Sequence, residues 1–528
     1  MKNILLITML TAGLVLSSLS CRDENQLAAN RLDVGTAIDS LEIKLGWVDY
    51  RTNLERWRRA GEQDDDSLDF FTQLHRDVVA KPHIYKALRG YRAQLSKDVD
   101  LRRFDIVYPV VVHGQIDDSR LIRGLRDSLT EFYAQPWCQW KGNSVSPEFL
   151  RAMVLTTGRK SSRELAYRTM SNPDEAIAQQ LARLFRLRNQ ATRRMGYNDY
   201  LSLTIDLAGI KTASYLEFLD AVDSITREPY NDLAYELKAS MGTEQLEVYD
   251  WESRFGRTIA EADALFPVDS QKNYLKRFAT GLGFDIDRLP IYWHKTEDNV
   301  AGDRSVALVV VPGHDVRVVA RLTDGIQSYT SLVRALALAL RGVLVAQESD
   351  LLARTVDPAW SEGISTLFER LAIETEWLQS ITSASNDLHI RLTRAKQAIR
   401  LFRIRLLLVE ARLEYDAYRN PSQNLNDRYW DLFEKYVGLP RHNDLTPWAG
   451  NKSFVEQPLA AYYQLLGECA VAQNMNYLRS HYDRIVDNEG IGSFLTHSYF
   501  RFGARYDWRE LIERATDQKL SPDYLSQI

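Results

Sequence analysis

Ser331-Leu-Val-Arg-Ala-Leu-Ala-Leu-Ala-Leu-Arg-Gly342 and, shortly after it, Pro358-Ala-Trp-Ser-Glu-Gly-Ile364 are the segments on which the reading of the fold turns. Leu332, Val333, Leu336, Leu338, Leu340, Val343 and Leu344 cover almost the whole circumference of a helix, and a helix apolar all round belongs in the middle of a large protein. Its apolar middle carries one charge, Arg334, which is costly there unless paired. The second segment opens a helix at Pro358, where a proline is easily tolerated, and carries Glu362 just inside it. Two central helices are therefore expected, a cation on one and a carboxylate on the other.

Around this centre the chain reads as helical from about Leu32 nearly to its end. Segments with helical periodicity include Leu41–Trp57, Leu121–Tyr133, Asp174–Arg194, Asp387–Ala417, Asn424–Tyr436 and Phe454–Tyr477. Gly196 fits the end of the third of these, and Asn198 is placed to cap the helix after it. The pattern changes between Ser305 and Leu322, where two β-rich runs flank the turn Pro312-Gly-His-Asp315, so one small β-ribbon is expected. His314 reads as an exposed turn residue. Prolines number 15 in 528 residues, and there is neither a low-complexity linker nor a repeat at solenoid spacing, so residues 32–528 read as one helical domain. With 45% hydrophobic residues, a large core is easily built. The 66 basic and 71 acidic side chains are intermixed, and no basic stripe suggests a nucleic-acid partner.

Met1-Lys-Asn followed by the apolar run Ile4–Leu19 reads as a secretory signal peptide over residues 1–20. It ends Ser18-Leu-Ser-Cys21, a small residue before a cysteine, as lipoprotein signal peptidase requires. Cys21 is thus the expected lipidation site, and residues 21–31 the tether of a bacterial envelope lipoprotein. Ser18-x-Ser20 also fits ordinary cleavage at the same bond. The remaining cysteines, Cys138 and Cys469, are open to a disulfide or to two buried free thiols. Acidic Gly61-Glu-Gln-Asp-Asp-Asp66 lacks the spaced ligands of a cation loop and reads as solvated.

Twenty-eight residues separate Arg334 from Glu362. This spacing resembles the active-site core of the angiotensin-converting-enzyme family of zinc metallopeptidases, in which one helix carries His-Glu-x-x-His and the next supplies a glutamate as third zinc ligand. Trp47-Val-Asp-Tyr-Arg-Thr-Asn53, Leu187-Arg-Asn189 with Gly196-Tyr and Tyr200, and the tail from Phe500 to Tyr524 resemble that family too. The resemblance implies a mainly helical, two-lobed gluzincin-type body with a central cleft. It also places the zinc histidines on Arg334 and Leu338, and the catalytic glutamate on Ala335. Glu362 is retained as the third ligand, and Thr366 stands where a carboxylate steadies a zinc histidine. Tyr462 matches the oxyanion-holding tyrosine, and Lys452 stands at the histidine beside it.

That chemistry needs lone pairs and a base. A catalytic zinc takes three protein ligands and lowers the pKa of a bound water whose proton a glutamate accepts. Guanidinium stays protonated, leucine offers no donor atom and alanine cannot act as a base. The nine histidines include no pair three or four apart, and no nucleophile or phosphate-binding motif appears. The expectation is a catalytically inactive metallopeptidase homologue with no metal or other cofactor. It would be anchored at the envelope and bind a peptide or protein in the former groove. The alternatives are an active hydrolase with a relocated metal site or another mechanism, and a structural lipoprotein whose groove has closed. If the parent geometry is kept, Arg334 and Glu362 should form a bidentate salt bridge where the metal sat.

Overall fold

The computed structural model describes residues 34–61, 67–90, 92–296, 304–347 and 349–527. The expected signal peptide, Cys21 and the expected tether lie outside them, as does the acidic run 62–66 after Gly61. The molecule is mainly helical, as the periodicities imply. Eight helices matter most here: α1 (Val34–Ala60), α2 (Asp98–Asp117), α3 (Glu175–Arg193), α4 (Thr212–Met241), α5 (Ile326–Leu344), α6 (Pro358–Leu371), α7 (Asn386–Arg419) and α8 (Ala460–His481). Among the described residues, no helix is long and apolar enough to cross a membrane.

Local sequence sets their ends. Asp174 caps α3, accepting from the Ala176 amide at 2.9 Å, and Gly196 follows it with φ +96°. The next helix, Tyr200–Leu207, is capped by Asp199 rather than Asn198, the Asp199 carboxylate accepting from the Ser202 amide at 2.8 Å. The expected helix Phe454–Tyr477 is two pieces, Ser453–Glu456 and α8. Pro458 pushes Gln457 (φ −144°) out of helical geometry, and Leu459 turns back at φ +64° to start α8.

The β-structure is richer than one ribbon. The hairpin of β4 (Val306–Val311) and β5 (Asp315–Arg321) lies where expected, but β3 (Ile291–Thr296) joins β5 in parallel, Trp293 facing Val318, giving the order β3-β5-β4. A separate two-stranded hairpin pairs β1 (Cys138–Trp140) with β2 (Asn143–Val145). Ile291-Tyr-Trp has the β-branched and aromatic composition of a strand, but its partner lies across a helix-length gap that local periodicity cannot bridge.

The apolar core is continuous from Val112 to Leu525, with a smaller cluster among the N-terminal helices. α5 runs through its centre: Val333, Leu336, Ala337, Ala339 and Leu340 are wholly buried. Its end is locked to the sheet, since the Gly313 amide donates to the Gly342 carbonyl at 2.8 Å. A Cβ on Gly342 would come within 2.8 Å of Val309. Cys138 and Cys469 are buried free thiols, and burial pushes Cys138 up to about 12.

Candidate functional site

α5 and α6 pack side by side. α6 begins at Pro358, capped by Asp357, whose carboxylate accepts from the Ala359 amide at 2.9 Å and the Trp360 amide at 3.4 Å. Burial, with Asp507 nearby, raises Asp357 to about 6. The far side of α6 lies against α8 at a glycine crossing. A Cβ on Gly467 would meet the Gly363 amide nitrogen at 3.0 Å and the Glu362 Cβ at 3.1 Å. This close approach fixes the stretch that carries Glu362 between two helices.

Arg334 and Leu338, one turn apart on α5, are the half-buried positions of an otherwise buried segment, and Ala335 beside them is 3% exposed. The Arg334 guanidinium reaches across to α6. One nitrogen donates to Glu362 at 2.9 Å; another donates to the Thr366 hydroxyl at 2.7 Å and to Glu369 at 3.1 Å. The expected salt bridge is thus present, but it is shared between two carboxylates rather than bidentate to one. Glu362, Thr366 and Glu369 are spaced i, i+4, i+7, one stripe of α6 facing one arginine. Glu369 is the residue that sequence reasoning missed, and this spacing was its signal.

The cluster is electrically self-consistent. Burial alone would push Glu369 up, but Lys396, Arg334 and Arg304 together hold it below its ordinary value. Burial likewise opposes the Arg334 charge, and Glu362 and Glu369 outweigh it, so its pKa is raised. Arg334 and Glu369 thus each favour the other's charged form.

The other sequence-derived positions are not drawn into this cluster. Tyr462 is buried at the start of α8, its ring 4.8 Å from Tyr215 and 5.2 Å from Phe218, and burial raises its phenol to about 12. Lys452 has a 65% exposed side chain and pairs with Glu456 at 3.9 Å. Its place on a separate helical turn, beyond the Pro458 break, takes it off the helix that carries Tyr462. His314 is exposed in the β4–β5 turn.

Comparison with known proteins bears on the fold. The structure is similar to that of Trypanosoma cruzi metallocarboxypeptidase 1, with a TM-score of 0.65 over 93% of this chain and 98% of that one, at 14% identity. The likeness is therefore one of fold, over nearly the whole of both chains. No family model and no curated protein matches the sequence.

A zinc ion, which a metallopeptidase fold implies, does not suit the side chains present. The helix position facing Glu362 holds a guanidinium that donates to it, and the next turn offers Leu338. Among the described residues, no group of three or more His, Cys, Asp or Glu is placed to hold a metal.

Proposed function

We propose that this chain is a degenerate relative of the angiotensin-converting-enzyme-type gluzincins, a peptidase body without zinc chemistry. In this reading it is tethered to the bacterial envelope by lipid on Cys21 and retains a groove for a peptide or protein. The observation that carries the reading is Arg334 bonded to Glu362 across two central helices. A positive charge with a donor fork takes over the electrostatic task of a dication with carboxylate ligands and leaves no lone pair for a metal. The retained partner Glu362 and the fold likeness to a metallocarboxypeptidase support descent from an active enzyme. The side chain of Glu362 is 37% exposed, so the cluster meets solvent and a bound peptide has a carboxylate to meet.

The test is metal analysis and peptide capture on one purified sample. After zinc loading and desalting, the protein should hold well under one equivalent and show no chelator-sensitive peptidase activity. Peptides should be retained from a defined library. Stoichiometric zinc in the unaltered protein, with chelator-sensitive cleavage, overturns the reading. Conversely, Arg334→His with Leu338→His should create a zinc site with Glu362, because histidines one turn apart on that half-buried face point the same way. Isothermal titration with zinc reads this directly.

A further inference from the structure

The outer face of α1 carries side chains that the rest of the fold leaves uncovered. Ile43 is 69% exposed and Trp47 36%; on the following helix, Ser67–Val79, Phe70 is 61% exposed. Ile43 and Trp47 are four apart and share a stripe. Trp47 meets Phe71 edge-on at 5.7 Å and Phe71 meets Phe70 at 5.2 Å, so Phe71, itself 5% exposed, joins the two exposed rings from beneath. Arg51, a turn further on, lays its guanidinium 4.9 Å over Phe71 and 6.0 Å over Trp47. Lys44, beside Ile43 in the chain, is half-buried, and burial, with a smaller push from the Lys81 charge, lowers its pKa. Tryptophan and phenylalanine beside arginine and lysine, on the surface of two adjacent helices, make up the composition that settles at a lipid–water boundary.

The chain outside the structure says what lies nearby. The first described residue, Val34, opens α1, and Cys21 is thirteen residues before it. Thirteen residues reach at most ~45 Å even fully extended, and Ile43 lies a further ~14 Å along the helix. Among the exposed large apolar side chains of the described residues, Ile43 and Trp47 are thus the nearest in sequence to an acylated Cys21. We infer that Ile43, Trp47 and Phe70, backed by the buried Phe71, form a seat that rests on the phospholipid surface and lays the N-terminal helices against the membrane. This inference rests on the lipoprotein reading of Cys21.

The test uses the mature full-length protein in vesicles of phosphatidylethanolamine and phosphatidylglycerol, with and without brominated acyl chains. Brominated lipid should quench the tryptophan emission, and Trp47→Phe should remove at least half of that quenching. Ile43→Asp with Phe70→Asp should abolish it and also raise amide exchange at least threefold over residues 40–51 and 67–74. Quenching unchanged by Trp47→Phe, with no difference in exchange, overturns the seat; loss of a co-purifying protein in the double variant under those conditions assigns the patch to that protein instead. The intact mass of the mature chain separately reports acylation. If Cys21 is bare, the lipoprotein reading fails by itself, and quenching of the Cys21→Ser chain at high lipid concentration still decides the seat.

Discussion

Arg334 and Arg341 stand two turns apart on the same helix, and their surroundings treat the same side chain in opposite ways. Arg334 is answered by charge: Glu362 and Glu369 hold it above its ordinary pKa. Arg341, 2% exposed, is answered by backbone alone, donating to the carbonyls of Ala353, Arg354 and Thr355 in the link between α5 and α6. Burial and the nearby Arg354 charge bring it down to about 10. The first arrangement is an ionic cluster whose members can be exchanged for other charges, a metal ion included. The second is a fixture: three carbonyls of a turn depend on one side chain. The first kind of place can change its charges while the second kind keeps the two helices in register.

The largest effect should come from the fixture. Arg341→Met removes the donor from the buried Ala353 carbonyl and the half-buried carbonyls of Arg354 and Thr355, at roughly 1–3 kcal/mol for each group left orphaned. A net loss of about 4 kcal/mol is expected in denaturant unfolding. If Arg341→Met costs less than Arg334→Met, backbone-partnered arginines are not the framework argued here.

A second backbone-partnered charge sharpens the contrast through pH. Glu414 on α7 is 3% exposed, and both its oxygens accept from the Leu459 amide, at 3.3 and 3.2 Å, where the chain turns into α8. Burial raises it to about 7, against a smaller opposing pull from that amide and from Arg188. An acid whose pKa is higher folded than unfolded binds its proton more tightly in the native state. Its contribution is therefore fully present below the unfolded value near 4.5 and is lost as pH rises through about 7. Between pH 4.5 and 8 this one group should remove up to about 3 kcal/mol of stability. Glu414→Gln should flatten that slope, whereas Glu369→Gln should not, because Glu369 is held on the acidic side by its cations. Urea midpoints at pH 5 and pH 8 for the three proteins make the comparison.

These two kinds of site were unequally legible in the sequence. Arg334 and Glu362 could be paired in advance because both interrupt apolar surroundings on helices with a recognisable spacing. Their geometry could not be: the fork shared among Glu362, Thr366 and Glu369 depends on how α6 is rotated against α5, which glycines 363 and 467 set from the α8 side. The helix break at Pro458, between Lys452 and Tyr462, was likewise not read from periodicity. Arg341 gave no signal, because its partners are carbonyls, which every residue has. For the same reason β3 escaped notice: its hydrogen bonds go to a strand some twenty residues away, in parallel. The helices themselves were legible from periodicity and caps to within a few residues, α1 apart, whose start at Val34 precedes its regular apolar stripe.

The smallest effects should separate the members of the ionic cluster from one another. Removing Arg334 leaves two carboxylates on one stripe of α6, about two turns apart, and Lys396 and Arg304 compensate Glu369. Arg334→Met should therefore cost about 2 kcal/mol, below the 3–5 typical of breaking a fully buried pair. Glu362→Leu should cost about 1 kcal/mol or less, because its side chain is 37% exposed and Arg334 keeps Glu369 and Thr366. Combining Arg334→Met with Glu362→Leu should come out less destabilising than the sum, by about 1 kcal/mol, since the second change removes the carboxylate that the first left without its partner. Full recovery is not expected while Glu369 remains. Adding Glu369→Leu should then recover less than Glu362→Leu did, because Lys396 and Arg304 lose their own partner in the exchange. Additive Arg334 and Glu362 variants would show that α5 and α6 are held by apolar packing alone, and that the guanidinium lies between them without bracing them.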